Sequence, residues 1–144
     1  MKWRKMRIVV IDGQGGGVGK ALVEELVKAC PQAEVIAVGT NATATSNMMK
    51  GGTPNGATGE NAVVYNCGRA DAIVGPIGIV MANAMLGEIT SRMAEAVSSA
   101  KANLFLIPMN RYHATVVGVE SRKLSEYIQE AVTKIVQGLR NSDG

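Results

Sequence analysis

Between residues 11 and 20 the chain reads IDGQGGGVGK, with five glycines among seven residues behind Asp12 and ahead of Lys20. Glycine has no Cβ, so such a loop lets a ligand approach the backbone and meet free N–H groups, which is how a phosphate is held at a helix start. The spacing GxxxGxG fits without a break at Gly13, Gly17 and Gly19. The alternative GxGxxG fails, because Val18 stands where its last glycine is needed. A Walker A loop fails as well: Gln14 replaces its first glycine, and Ala21 replaces the Ser or Thr that would hold Mg²⁺. In this register Gly13 makes the turn, Gly17 admits a phosphate and Gly19 lets the following helix pack closely on the strand. A plain strand-to-helix turn needs one or two glycines, so Gly13, Gln14, Gly15, Gly16, Gly17, Val18 and Gly19 form the expected cofactor-binding loop. Asp12 has two readings. Its carboxylate caps loop amides, or it acts in catalysis or through Mg²⁺; the first is the simpler.

Further candidates stand elsewhere. Thr40 and Asn41 follow the second strand, where a typical NAD site carries an acidic residue for the ribose hydroxyls. Their neutral side chains repel no 2′-phosphate, which favours NADP over NAD, yet no arginine is there to clamp that phosphate. A mononucleotide or another phosphorylated metabolite fits equally well, so the cofactor stays open. Gly75 and Pro76 open a second glycine turn, read as a ligand contact or as a plain turn. The loop 51–59 is either a lid or a surface connection. The catalytic candidates are Asp12, Glu60, Arg111 and His113, with Arg111 able to reach a phosphate and His113 able to act as a general base. Cys67 beside Arg69 would be reactive if exposed, and otherwise a small buried hydrophobe. No metal site is expected.

These groups need a scaffold, and 144 residues with 47% apolar content suit one domain over 1–144. The net charge is only +3 and aromatics are 3%, so no stacking platform for nucleic acid is expected. Cys30 and Cys67 have neither metal nor disulfide spacing. The start lacks a signal-peptide pattern and no run is long enough to span a bilayer, so a cytoplasmic location without membrane contact is expected. Apolar β-branched runs predict strands at 6–11, 35–38, 72–74, 104–107 and 115–119. Helical periodicity appears at 18–30, closed by Pro31, and at 42–50, 60–66, 91–100 after Thr90 as N-cap, and 124–139. The run from Ile79 to Leu86 is apolar on nearly every side, which predicts a helix covered by a second subunit in a homo-oligomer. The alternation gives a three-layer α/β Rossmann-like fold: a mainly parallel sheet of about five strands, helices on both faces, and ligands beyond the strands' carboxyl ends.

Taken together, VVIDGQGGGVGK, IAVGTNATATS, GATGENAVVYNC, ADAIVGPIGIV and IPMN…VVGVE resemble a small bacterial family of uncharacterised proteins, a domain of unknown function frequent in anaerobic Firmicutes. That resemblance covers nearly the whole chain and implies a stand-alone, cytoplasmic Rossmann-like protein without an assigned activity. The glycine spacing is also similar to that of short-chain dehydrogenases, with Asp12 where a Thr usually sits. Their catalytic Tyr and Lys, four residues apart, find only Tyr65 and Arg69 here, and the chain is far shorter, so their chemistry is not expected. The sequence therefore predicts a nucleotide-binding protein for a small phosphate-bearing ligand. The alternatives are a small enzyme on a phosphorylated or nucleotide substrate, and an oligomeric interaction module.

Overall fold

The computed structural model describes residues 5–109 and 112–143. Along the chain run β1 (Arg7–Asp12), α1 (Gly17–Ala29), β2 (Glu34–Gly39), α2 (Ala42–Met49), β3 (Gly56–Thr58), α3 (Glu60–Cys67), β4 (Ala72–Pro76), a 3₁₀ turn (Ile77–Val80), α4 (Ser91–Ser98), β5 (Asn103–Ile107) and α5 (Leu124–Asp143). The five strands form one sheet in the order β3-β2-β1-β4-β5, and every pairing is parallel.

Two-residue periodicity sorts β1 between two cores. Ile8 and Val10 join Leu22, Leu26, Ile128 and Ile135 on the face covered by α1 and α5. Val9 and Ile11 join Val63, Ile79, Met93 and Val97 on the face covered by α3 and α4. β1 is central and buried on both sides, which is why it reads as an unbroken apolar run. Chain order runs outward from β1 through β2 to β3, then returns to β1's other side for β4 and β5. The loops after β1 and β4 therefore flank the point where a doubly wound sheet binds ligands.

Three expectations need correction. Residues 79–86 are not a helix: after the 3₁₀ turn the backbone takes left-handed φ at Asn83, Met85 and Leu86 (70°, 59° and 56°), then 92° at Gly87. Ile79, Met85 and Ile89 are buried this way, while Leu86 is 97% exposed. The apolar residues are covered by turning the chain under the second core, so the run needs no second subunit to hide it. Residues 115–119 are not a strand; Val117 is 93% exposed and, among the described residues, no strand pairs with this segment. β-branched composition makes a strand only where a neighbour offers a ladder. The fifth strand instead lies within 51–59, where Gly56–Thr58 pairs with β2. Thr53 is buried and donates its hydroxyl to the Val35 carbonyl at 2.6 Å, which ties this loop to the sheet and removes the lid reading.

β1 and β4 approach each other closely at Gly75. A Cβ on Gly75 would stand 2.2 Å from the Ile11 carbonyl oxygen, a backbone atom that cannot swing away. Gly75→Ala is expected to cost about 1–3 kcal/mol or more. Urea denaturation checks this, and a variant as stable as the wild type would contradict the packing described.

Candidate functional site

Asp12 ends β1 with its side chain turned under the glycine loop. Its carboxylate accepts from the Gly13 and Gly19 N–H groups, each at 2.7 Å, and the residue is only 5% exposed. The capping reading of Asp12 holds: one carboxylate ties the end of β1 to the first turn of α1, where negative charge is favoured. Gly19 packs as expected, since a Cβ there would meet both Met48 and the Asp12 side chain within 3 Å.

The loop carbonyls are held from α2. Asn41 donates its amide to the Gln14 carbonyl and Asn47 to the Gly15 carbonyl, both at 2.9 Å. Asn41 also caps α2, accepting from Ala44 N–H at 2.8 Å. Gly16 sits at φ 73° with Ala44 backbone atoms where a Cβ would go, so α2 abuts the loop there. Backbone accounting then isolates three donors. Gly13 and Gly19 donate to Asp12, Gln14 to Glu88, Gly16 to the Gly13 carbonyl, and Lys20 to the Gly16 carbonyl. Among the described residues, the N–H groups of Gly15, Gly17 and Val18 have no acceptor. Gly15 and Gly17 are exposed, and nothing lies within 4 Å of a Cβ built on either.

A residue that sequence reasoning missed completes the site. Glu88 comes from the turn 81–90, and its Oε1 accepts from Gln14 N–H at 2.8 Å, Thr40 Oγ1 at 2.5 Å and Asn41 Nδ2 at 3.1 Å. The same turn covers Gly13: a Cβ there would stand 2.6 Å from Thr40 Oγ1, 2.7 Å from Met85 Sδ and 2.9 Å from Glu88 Oε1. Gly13 is thus a contact with the turn 81–90, while the open part of the loop begins at Gly15. Partial burial pushes the Glu88 carboxyl up, but its three hydrogen bonds outweigh that and hold it below the ordinary glutamate range. The signal was there to read: Glu88 is the only charged residue between positions 72 and 91. A lone carboxylate in so apolar a stretch needs a partner.

Thr40 and Asn41 do meet the glycine loop. With Glu88 across them, however, β2 ends at a carboxylate after all, and the reason for favouring a 2′-phosphate is gone. Gly75 and Pro76 are buried in the sheet, with Gly75 pressed on β1, so they act in packing. Glu60 is occupied elsewhere, accepting from Thr90 Oγ1 at 2.6 Å and pairing with Arg92 at 3.5 Å, which clamps α3 to α4. His113 is exposed, and among the described residues no hydrogen bond or ion pair joins it or Glu60 to Asp12. Arg111 lies outside the described residues. Cys67 is 3% exposed and burial pushes its thiol up to about 11, so it is a core residue. A hollow of about 540 Å³ lies beyond the end of β5, lined by Met109, Tyr112 and Tyr127 among others and by no residue of the glycine loop.

Residues 7–140 match the family described as Domain of unknown function (DUF3842). The chain belongs to that family. The search of curated proteins finds no match for this DUF3842 member. Among solved structures it is similar to a dodecameric FMN-dependent UbiX-like decarboxylase from Escherichia coli O157:H7. The two are 17% identical, the likeness covers 93% of this chain and 94% of the other, and the TM-score is 0.50. At that identity the likeness is one of fold, a Rossmann-like α/β sheet with helices. Among the described residues, no helix is long and apolar enough to cross a membrane.

The lowered Glu88 carboxyl gives a pH test. A depressed folded-state value means that its contribution to stability is present above the ordinary glutamate value of about 4.3 and is lost as pH falls through the folded value. In urea denaturation across pH, the advantage of the wild type over Glu88→Gln should hold near neutrality and shrink in the acid range. A constant difference down to pH 3 would show that the ionised carboxylate is not what these donors hold.

Proposed function

We propose that this DUF3842 protein binds a nucleotide, whose phosphate lies on the Gly15, Gly17 and Val18 amides at the start of α1. The observation that carries the reading is that, among the described residues, three neighbouring N–H groups at the positive end of a 13-residue helix lack an acceptor, with open space at Gly15 and Gly17. Such groups are left unpaired where water or an anion meets them. Asn41 and Asn47 hold the loop carbonyls and so keep the amides in position for that anion.

The ligand class is a mononucleotide or a nucleotide-like metabolite, with FMN, the cofactor named for the fold neighbour, among those to test. A dinucleotide crossing from β1 toward β4 would meet Met85 and Glu88 on Gly13, so NADP is no longer favoured. The enzyme reading has less support, because Glu60 is committed to Thr90 and Arg92 and, among the described residues, no hydrogen bond or ion pair brings His113 to the glycine loop. A cytoplasmic location remains part of the reading. Self-association remains part of it too, now assigned to exposed Leu86, Val116, Val117 and Val119 rather than to a helix over 79–86.

Thermal shift with AMP, GMP, ATP, FMN, NAD and NADP tests the reading. A true ligand at 100 times its Kd should stabilise the protein by about 2.7 kcal/mol. Gly17→Val should keep the fold, since nothing lies within 4 Å of the added Cβ, yet abolish the shift by covering the amides. A panel without any response, or a response that Gly17→Val leaves intact, would overturn it.

A further inference from the structure

Glu88 is held unusually firmly for a side chain at the mouth of an open site. The backbone that delivers it turns through left-handed φ at Met85 and Leu86, a conformation that L side chains rarely adopt. Its Oε1 then takes one donor from the glycine loop and two from the end of β2, while among the described residues its Oε2 accepts no hydrogen bond. Two consequences follow from the donor inventory. The Thr40 hydroxyl has a single proton, and it is spent on Glu88. The Asn41 amide has two, divided between Glu88 and the Gln14 carbonyl. The two neutral side chains that would have welcomed a second phosphate therefore have nothing left to donate. What remains there is an acceptor-only, negatively charged carboxylate, bonded through its Oε1 to the N–H of Gln14, the residue before Gly15.

Resting on the nucleotide reading above, we propose that Glu88 is the specificity-determining residue of this site. It selects 5′-nucleotides with a free ribose diol, which donates to its Oε2, and rejects those phosphorylated at the 2′ position. An anion thus meets the Gly15, Gly17 and Val18 amides, and hydroxyl donors meet Glu88. A 2′-phosphate cannot donate to the carboxylate and brings like charge against it. In dinucleotide-binding folds an acidic residue at the end of the second strand performs this selection. Here the carboxylate arrives from the opposite side of the sheet, after β4, and crosses over Gly13 to reach the same place.

The test is calorimetric titration of the full chain and of Glu88→Gln. The probes are 5′-AMP, 2′-deoxy-5′-AMP and adenosine 2′,5′-bisphosphate, with the guanosine series alongside. In the wild type the 2′-deoxy ligands should bind about ten-fold more weakly than the ribonucleotides, and the 2′-phosphorylated ones about a hundred-fold more weakly. In Glu88→Gln the penalty on the 2′-phosphate should fall below about ten-fold. The comparison among ligands is read within the wild type, so it stands even if the variant folds poorly. A wild type that binds ribonucleotides but treats all three probes alike overturns this inference and leaves the glycine-loop reading in place. So does a variant with the wild-type penalty, or one that binds every probe equally more tightly, because Glu88 would then be a latch that ligands displace. A wild type that binds no nucleotide removes the glycine-loop reading first and this inference with it.

Discussion

Everything at the carboxyl edge of this sheet depends on the Asp12 carboxylate between Gly13 and Gly19. A buried central strand must turn into a helix within four residues, and the helix begins with N–H groups that need acceptors. Asp12 satisfies two of the loop's donors from within the protein, fixes where α1 starts, and so decides which amides are left over. Were both groups unpaired and buried, each would cost about 1–3 kcal/mol. Of the remaining donors at Gly15, Gly17 and Val18, the first two stand beneath open space that water or a ligand can reach.

Around that tie, α2 and the turn 81–90 close the loop from two sides. Asn41 belongs to both, because it caps α2, holds the Gln14 carbonyl and donates to Glu88. The arrangement is polar, yet it is assembled on rigid elements, the ends of β1 and β2 and the start of α2. A site built this way keeps its geometry without a ligand, which lowers the ordering cost of binding. The turn 81–90 is the strained part, and its hydrogen bonds through Glu88 offset the left-handed backbone at Met85 and Leu86.

Much of this was legible in the sequence because periodicity is local. The apolar run of β1, the stripe of α5, the Thr90 cap and the close packing of Gly19 all follow from residues that are near one another along the chain. What was missed is non-local. Val116, Val117 and Val119 have strand propensity without a neighbour to pair with, whereas Gly56–Thr58 has weak propensity but lies against β2. The run from Ile79 to Leu86 has helical composition, yet burial of Ile79, Met85 and Ile89 under the sheet dictates a turn. Glu88 stands out as a lone charge in its stretch, but its place in the site could not be read locally, because its partners are 74, 48 and 47 positions away. Glu60 and His113 were drawn in by residue type alone, and the fold holds Glu60 elsewhere.

The central claim is that the unpaired amides of the glycine loop receive a nucleotide phosphate, and the most direct measurement observes those amides themselves. In a ¹⁵N-resolved NMR titration with a responding nucleotide, the account predicts that the largest shifts fall on the Gly15, Gly17 and Val18 N–H groups. Gly13 and Gly19, already bonded to Asp12, should move less. Shifts centred instead on the residues lining the hollow beyond β5, with the loop amides unmoved, would contradict it.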